Sequence, residues 1–173
     1  MKSLYKRIIL AIILTVLAVS WFPSYYNAVA EYDEEYGEIW PVYCACQPDS
    51  EINVRAFPKY SAEIVGRVWP GDQVYTDGKK RGVWMHVIDV PCEAGEGWIH
   101  KGYLSDSPVH RVDAEYTVTR NKTFARKYMG GKVTKKLKKG QTVTVFFLTG
   151  DVAVTNLGYI VADYLEEKTD AEV

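Results

Sequence analysis

The stretch Gly97-Trp98-Ile99-His100-Lys101-Gly102-Tyr103-Leu104 recurs with the same spacing as Gly158-Tyr159-Ile160-Val161-Ala162-Asp163-Tyr164-Leu165. In each copy a glycine, an aromatic residue and an isoleucine precede a Tyr-Leu pair by the same distance. A glycine in a short strand is typical of a barrel corner, where two backbones approach closely. The repeat therefore predicts two structural copies in one chain.

A second shared pattern precedes each of these stretches. It consists of three residues spaced by three, which are Val68, Gly71 and Val74 in the first copy and Leu137, Gly140 and Val143 in the second. The residues that follow, 73–76 and 141–145, alternate between apolar and polar side chains. This period of two indicates strands with one buried face, so we expect an all-β protein.

The first copy contains further residues in a fixed order: Asn53-Val54-Arg55-Ala56-Phe57-Pro58, Val65-Gly66-Arg67-Val68 and Trp84. Together with the two patterns above, this set resembles the bacterial SH3 (SH3b) domain family. The second copy resembles the family only in its later half, because Val118-Thr119-Arg120 departs from the family's Asn-Val-Arg start. The resemblance implies two small SH3-like β-barrels in tandem, the second divergent. It also implies a long irregular loop in each, at 57–63 and 122–132.

The N-terminal residues 1–30 have the pattern of a signal peptide. Lys2, Lys6 and Arg7 precede an apolar run over 8–22, and the segment ends in Ala28-Val29-Ala30. An uncleaved membrane anchor is the alternative, but the apolar run is shorter than the roughly 20 residues that span a bilayer. We expect an exported protein, secreted or associated with the cell envelope, whose mature chain begins at Glu31.

The rest of the chain divides by composition and by the repeat. We predict an acidic linker at 31–41, a first barrel at 42–106, a second barrel at 107–166 and an acidic tail at 167–173. The formal net charge of the chain is −1, but the charge is segregated. Basic residues dominate from Arg111 to Lys139, with only Asp113 and Glu115 opposing them.

Export would place the three cysteines in an oxidising compartment, where disulfides persist. We predict a disulfide from Cys92 to Cys46, with Cys44 as the second choice, because the N-terminal strand must return beside the hairpin that carries Cys92. A metal or redox site is the alternative. Zinc needs about four ligands, and the histidines show no ligand spacing. We therefore expect no metal and no cofactor.

No catalytic constellation is evident in the sequence. An NlpC-type peptidase needs a cysteine nucleophile on a helix, whereas all three cysteines are expected on strands or loops, and the histidines do not form the motifs of a zinc metallopeptidase. His86, His100 and His110 are interpreted as exposed structural residues. We therefore predict that the chain is not an enzyme.

Two sets of residues are candidate ligand-binding positions. Exposed aromatic and basic loop residues could stack on sugars or accept a peptide, and these are Arg55, Phe57, Tyr60 and Trp69. A lysine cluster could attract an anionic wall polymer, and it comprises Lys135, Lys136, Lys138 and Lys139. The alternatives are residues that only rim the barrel and a solvated lysine-rich loop. Trp84 and Trp98 are predicted to belong to the core.

The resemblance implies a non-catalytic targeting module, since several members of the family bind peptidoglycan or other wall material. The first hypothesis is a protein that recognises wall glycan, stem peptide or an anionic wall polymer. The second is an interaction module or adaptor for another exported protein, and the third is a regulatory partner of a wall enzyme. Nucleic acid is a poor partner for an exported protein, and a membrane is a partner only through an uncleaved signal peptide.

Overall fold

The computed structural model describes residues 31–33 and 36–168, and this part of the chain is all-β, as predicted. Its strands form two antiparallel sheets, and each sheet carries one short 3₁₀ turn, at Lys101–Tyr103 and Ala162–Tyr164. The predicted signal peptide lies outside the described residues, as does most of the predicted acidic tail. No helical segment of the described residues is long and apolar enough to cross a membrane.

The first sheet contains the first nine strands of the described chain. They are β1 (Glu31–Asp33), β2 (Gly37–Cys44), β3 (Ile52–Arg55), β4 (Ile64–Val68), β5 (Gln73–Thr76), β6 (Lys80–Arg81), β7 (Trp84–Ile88), β8 (Glu96–His100) and β9 (Leu104–Ser105). The order of strands across the sheet is β1-β2-β5-β7-β8-β3-β4. In addition, β6 pairs with β7 and β9 pairs with β2.

The second sheet contains the remaining seven strands. They are β10 (His110–Val118), β11 (Thr123–Arg126), β12 (Val133–Leu137), β13 (Thr142–Thr149), β14 (Val152–Thr155), β15 (Gly158–Val161) and β16 (Leu165–Glu167). The order across the sheet is β12-β11-β15-β14-β13-β10-β16. Without β1 and β6, the first sheet has the same connectivity in the same chain order. The sequence repeat therefore corresponds to a structural repeat.

The glycine that opens each repeated stretch lies where two strands approach closely. An added Cβ at Gly97 would clash with Val54 and crowd the carbonyl oxygen of Arg55, both on β3. An added Cβ at Gly158 would clash with the carbonyl oxygen of Arg126 on β11, the equivalent strand of the second sheet. The close approach predicted from the two glycines is confirmed in both copies.

Each sheet buries its own apolar core. Val54, Val68 and Ile99 are among the fully buried side chains of the first core. Leu137 and Ile160 are among those of the second. Burial alternates residue by residue along β5 and β13, the two strands that the period of two predicted from the sequence.

Two predicted irregular segments contain strands instead. The predicted linker 31–41 includes β1 and the start of β2, and Ile39 is buried there. Because this segment is mostly acidic, its composition did not indicate that Ile39 is a buried residue of β2. The predicted loop 122–132 begins with β11, where Thr123 and Ala125 are buried, so only 127–132 is irregular. The predicted loop 57–63 does lie between β3 and β4.

Candidate functional site

A small apolar cluster joins the two sheets, and we call it the junction. Its buried members are Ala45 from the first sheet unit and Phe147, Val154 and Tyr159 from the second. Cys44 and Cys46, on either side of Ala45, belong to the core of the first sheet. Three consecutive residues therefore contribute to two separate clusters, because successive side chains of an extended chain point in opposite directions.

Hydrogen bonds fix the two sheets at the junction. The buried hydroxyl of Tyr159 donates to the carbonyl oxygen of Ala45 at 2.7 Å. Gln47 Nε2 donates to the carbonyl oxygen of Thr155 at 3.2 Å. Burial strongly raises the pKa of Tyr159, so its hydroxyl remains a donor at every physiological pH. The relative position of the two sheets is therefore set by directional contacts as well as by apolar packing.

Beside the junction opens a cleft of about 420 Å³, which we call the junction cleft. The residues that matter for its chemistry are Arg55, Tyr60, Trp84, His100 and Tyr103 from the first sheet unit and Lys127 from the second. Small-molecule sites typically enclose about 300–1,000 Å³, so the cleft suits a ligand of a few residues or sugar units. Because both halves of the chain supply its walls, the cleft depends on the junction.

His100 lies at the centre of a set of aromatic rings. The centroid of its ring is 4.4 Å from that of Tyr128, 5.5 Å from Tyr103, 5.9 Å from Trp84 and 6.1 Å from Tyr60. Its residue exposure is only 5%. Burial lowers the pKa of His100, and the positive charges of Lys101 and Lys127 lower it further. The ring is therefore neutral at neutral pH.

The hydrogen bonds of His100 determine where its proton lies. Its Nδ1 accepts a hydrogen bond from the backbone N–H of Gly102 at 3.1 Å. A neutral imidazole whose Nδ1 accepts must carry its proton on Nε2. This Nε2 is buried and has no hydrogen-bond partner in the described part of the chain. A buried N–H without an acceptor costs about 1–3 kcal/mol, so His100, which lines the cleft, carries a donor that no described residue satisfies.

Two cationic side chains of the cleft have no carboxylate partner among residues 36–168. Arg55 uses its Nη1 to donate to the carbonyl oxygen of Ala62 at 2.6 Å, and Lys127 forms no ion pair. The carboxylate of Glu51 also lines the cleft, but it pairs with Arg67 at 2.9 Å. The unpaired charge of the cleft is therefore positive.

Cys46 lines the junction cleft but has the properties of a structural thiol. Burial raises its pKa to about 12, and the negative charge of Asp72 contributes. Its Sγ donates to the carbonyl oxygen of Ser50 at 3.3 Å. Since the thiolate is the nucleophilic form, the thiol is unreactive at neutral pH.

The predicted disulfide is wrong for this structure, in which Cys44, Cys46 and Cys92 are all free thiols. Cys92 packs against Gly66 on β4, and its Sγ donates to a carbonyl oxygen in its own loop. Cys44 ends β2 and Cys46 follows it, and β2 pairs with β1, β5 and β9 rather than with β4. Cys92 packs against the same core as Cys44 and Cys46, but all three remain thiols.

The structure separates the first set of predicted ligand-binding residues. Arg55 and Tyr60 line the junction cleft. Phe57 and Trp69 are 64% and 50% exposed, but neither lines it. Trp84, predicted to belong to the core, is buried and yet also forms a wall of the cleft.

The predicted lysine cluster lies on the second sheet, outside the cleft. Lys135 and Lys136 are on β12, and Lys138 and Lys139 are in the turn that follows. All four are exposed, and none forms an ion pair with a described residue.

Two of the three histidines are not exposed as predicted. His100 and His86 are buried, whereas His110 is exposed. His86 is held between carboxylates, with Nδ1 3.0 Å from Asp77 Oδ2 and Nε2 3.4 Å from Glu96 Oε2. Such pairing allows a polar ring to be buried, and spacing in the sequence does not reveal it.

The pKa of Asp77 shows how strongly this carboxylate is held. Burial by itself raises the pKa of Asp77, but hydrogen bonds from Lys79 and the charge and hydrogen bond of His86 outweigh burial. The net pKa of Asp77 is therefore below its ordinary value. No group of three or more histidine, cysteine, aspartate or glutamate residues in the described chain is arranged to hold a metal ion.

The sequence offered weak indications of the site residues that we missed. His100 lies in the repeated stretch at a position where the second copy has Val161, so it marks a difference between the copies. Tyr159 is the equivalent in the second copy of Trp98 in the first, but its hydroxyl donates a hydrogen bond to Ala45 of the first sheet unit. Lys127 lies in a basic run and has no distinguishing neighbour in the sequence.

Comparison with known proteins does not assign the chain to a family. No protein-family model and no curated protein matches the sequence. Among solved structures, the chain is similar to NlpC1 from Trichomonas vaginalis, with 15% identity and a TM-score of 0.31 over 85% of this chain and 52% of that one. It is also similar to NlpC2 from the same organism, with 15% identity and a TM-score of 0.28 over 74% and 48%. The chain thus spans about half the length of each, and similarity at this level establishes no shared activity.

Proposed function

We propose that this protein is an exported, non-catalytic binding protein of the bacterial cell envelope that recognises cell-wall material. In this proposal its two sheets are a tandem pair of SH3b-like barrels, and its principal binding site is the junction cleft. The localisation rests on the N-terminal sequence pattern. The assignment to SH3b rests on the ordered motifs of the first copy and on the shared connectivity of the two sheets.

The junction cleft is the observation that carries the proposal. It combines aromatic walls from Tyr60, Trp84 and Tyr103 with the unsatisfied Nε2–H donor of His100. Aromatic rings provide apolar area for a sugar or peptide, and a small number of polar groups orients it.

The chemistry of the same cleft favours binding over catalysis. A thiol nucleophile needs a lowered pKa, and burial raises the pKa of Cys46 to about 12. A general base needs a free lone pair. The Nδ1 lone pair of His100 already accepts from Gly102, while Nε2 carries the proton.

The lysine cluster is a second candidate binding surface, which would attract a ligand by charge rather than by aromatic contacts. Lys135, Lys136, Lys138 and Lys139 are exposed and have no anionic partner among the described residues. Exposed lysines attract polyanions over a Debye length of about 8–10 Å at physiological salt. We expect this surface to contribute a salt-sensitive component of wall binding and the cleft a salt-resistant one.

Sedimentation with purified bacterial sacculi, at low and high salt, tests the proposal. Tyr60→Ala should weaken retention at both salt concentrations, because it removes a wall of the cleft. Phe57→Ala is the matched control, since Phe57 belongs to the same loop and has nearly the same exposure but does not line the cleft. Replacing the four lysines by Gln should weaken retention only at low salt.

Two results would refute parts of this proposal. Equal retention of Tyr60→Ala and the unmodified protein would exclude the cleft as the wall-binding site. If the unmodified protein is not retained by sacculi at any salt concentration, wall binding itself is refuted. In that case the interaction module or adaptor becomes the better account.

A further inference from the structure

We propose that the junction cleft binds the free carboxylate of a short peptide, with His100 Nε2–H as its hydrogen-bond donor and Lys127 as its counter-charge. This inference deepens the proposed function and rests on it for the wall as the source of the peptide. It assigns a ligand class and two specificity-determining residues to a site that both sheets build.

The first argument is the identity of the unsatisfied group. In the neutral ring of His100, Nε2 can donate but cannot accept, because Nδ1 is engaged as the acceptor for Gly102 N–H. No acceptor in the described residues reaches Nε2. A ligand that satisfies it must therefore carry an acceptor oxygen, such as a carboxylate, a carbonyl or a hydroxyl.

The second argument selects an anionic oxygen among these. Lys127 and Arg55 line the cleft without carboxylate partners in the described chain, whereas the carboxylate of Glu51 is engaged by Arg67. A neutral acceptor would leave both cations without a counter-charge in a partly desolvated cleft. Hydrogen bonds between a donor and an ionised acceptor are roughly twice as strong as neutral ones.

The third argument favours a carboxylate over a polymer phosphate. The cleft is small, and the residues that line it include the rings of Tyr60, Trp84 and Tyr103 as well as His100 and Lys127. A peptide C-terminus with an apolar side chain matches this lining, because its carboxylate suits the positive side chains and its side chain suits the aromatic rings. A polyphosphate chain carries successive charges, which suit the four exposed lysines of the lysine cluster better than a small cleft.

His100 is buried among four aromatic rings, so we expect a ring to move when a ligand reaches it. Tyr60 is 66% exposed, whereas Trp84 is 6% exposed and Tyr103 and Tyr128 are partly buried. Tyr60 is therefore the ring that can swing aside at the lowest cost in lost packing, and it can then close over the bound chain end. Surface side chains change rotamer on the picosecond-to-nanosecond timescale, so this step does not limit binding.

The direct test uses three probes on the unmodified protein. They are N-acetyl-trialanine as the free acid, the same peptide with an amidated C-terminus, and inorganic phosphate. Long-range ¹H–¹⁵N NMR of the histidine rings should first show the Nε2–H tautomer of His100 in the free protein. Addition of the free acid should shift the His100 Nε2 resonance, and the amide and phosphate should not do so at the same concentration.

Variants of His100 separate the donor from its structural role. Asn can keep an acceptor for Gly102 N–H but lacks a group at the position of Nε2, so His100→Asn should lower the affinity for the free acid about 10- to 100-fold. Gln places an amide donor near the position of Nε2, so His100→Gln should recover part of that loss. Circular dichroism and thermal unfolding check that both variants are folded.

Lys127 has a matched control in its own loop. Lys127→Met should lower the affinity about two- to fivefold and reduce its salt dependence, as expected for an exposed charge. Lys132→Met removes an equally exposed lysine from the same loop, one whose backbone bonds to Lys127 but whose side chain does not line the cleft. It should leave binding unchanged.

Each outcome decides one of the two proposals. Equal binding of acid and amide, or displacement of the acid by phosphate at equal concentration, overturns the carboxylate inference. So does an unchanged affinity of His100→Asn. Retention on sacculi without binding of any probe also overturns this inference but leaves the proposed function standing. Binding of the free acid without retention on sacculi refutes the wall as the source and leaves the carboxylate site standing.

Discussion

Replacing Tyr159 by Phe removes one hydroxyl group from the junction and leaves the buried ring in place. The hydroxyl donates to the carbonyl oxygen of Ala45 across the two sheets at 2.7 Å. Without it, that buried acceptor loses this partner, and the loss of a buried hydrogen bond costs about 1–3 kcal/mol. For a protein of this size, 1 kcal/mol corresponds to roughly 2–4 °C in Tm. We therefore expect Tyr159→Phe to melt roughly 2–12 °C below the unmodified protein.

Thermal and urea unfolding, each followed by tryptophan fluorescence and circular dichroism, measure this effect. Tyr164→Phe is the matched control, because Tyr164 occupies the Tyr-Leu motif of the same repeat. Its ring packs against the guanidinium of Arg120, and its hydroxyl forms no hydrogen bond with a described residue. The control should change the free energy of unfolding by less than about 0.5 kcal/mol, as is usual for surface substitutions. If the two variants are equally stable, the hydrogen bond from Tyr159 does not hold the sheets together.

Two further predictions concern titration and thiol chemistry. Because burial lowers the pKa of His100, the unfolded chain binds a proton at this residue before the folded protein does. The free energy of unfolding should therefore fall as the pH drops below about 6.5, and His100→Asn should reduce this slope in urea titrations between pH 7 and pH 5. An unchanged slope would contradict the neutral buried ring. In the native protein, iodoacetamide at pH 8 should modify Cys92 and spare Cys44 and Cys46, whose pKa values burial raises to about 12. After unfolding without reductant, mass spectrometry should find all three thiols labelled, and a single label would instead show that two cysteines had been linked.

Much of the fold follows from local patterns, because each sheet is built from short alternating strands joined by turns. The turn at Trp69-Pro70-Gly71-Asp72 illustrates this. Gly71 has φ of +94°, and the Asp72 N–H donates to the carbonyl oxygen of Trp69, as the sequence of the turn suggests. Composition predicted a linker where β2 begins, because the acidic residues that precede this strand outnumber its buried apolar residues. Ile39 is buried on β2 and pairs with Glu31 of β1, within the segment whose composition predicts a linker.

The candidate site was less predictable, because it forms between the two copies rather than within one. Residue type and expected exposure indicate Arg55 and Tyr60 as candidate ligand-binding residues, but they predict an exposed His100. Tyr128 of the second sheet unit helps to bury His100, since the centroids of the two rings are 4.4 Å apart. A pattern within one copy cannot show which rings the other copy will bring. The disulfide prediction failed for a related reason, since the position of Cys92 depends on strand order rather than on spacing.

The junction also has a consequence for the order of assembly during synthesis. In the described part of the chain, no strand of the first sheet pairs with a strand of the second, so residues 31–105 can complete their pairing before residues 110–167 are made. At that stage Ala45 and the ring of Tyr103 lack the partners that later cover them. Exposed apolar surface in such an intermediate promotes association between chains. The half-made protein is thus most prone to aggregate through the surface around Ala45, and folding of the second copy removes that surface from solvent.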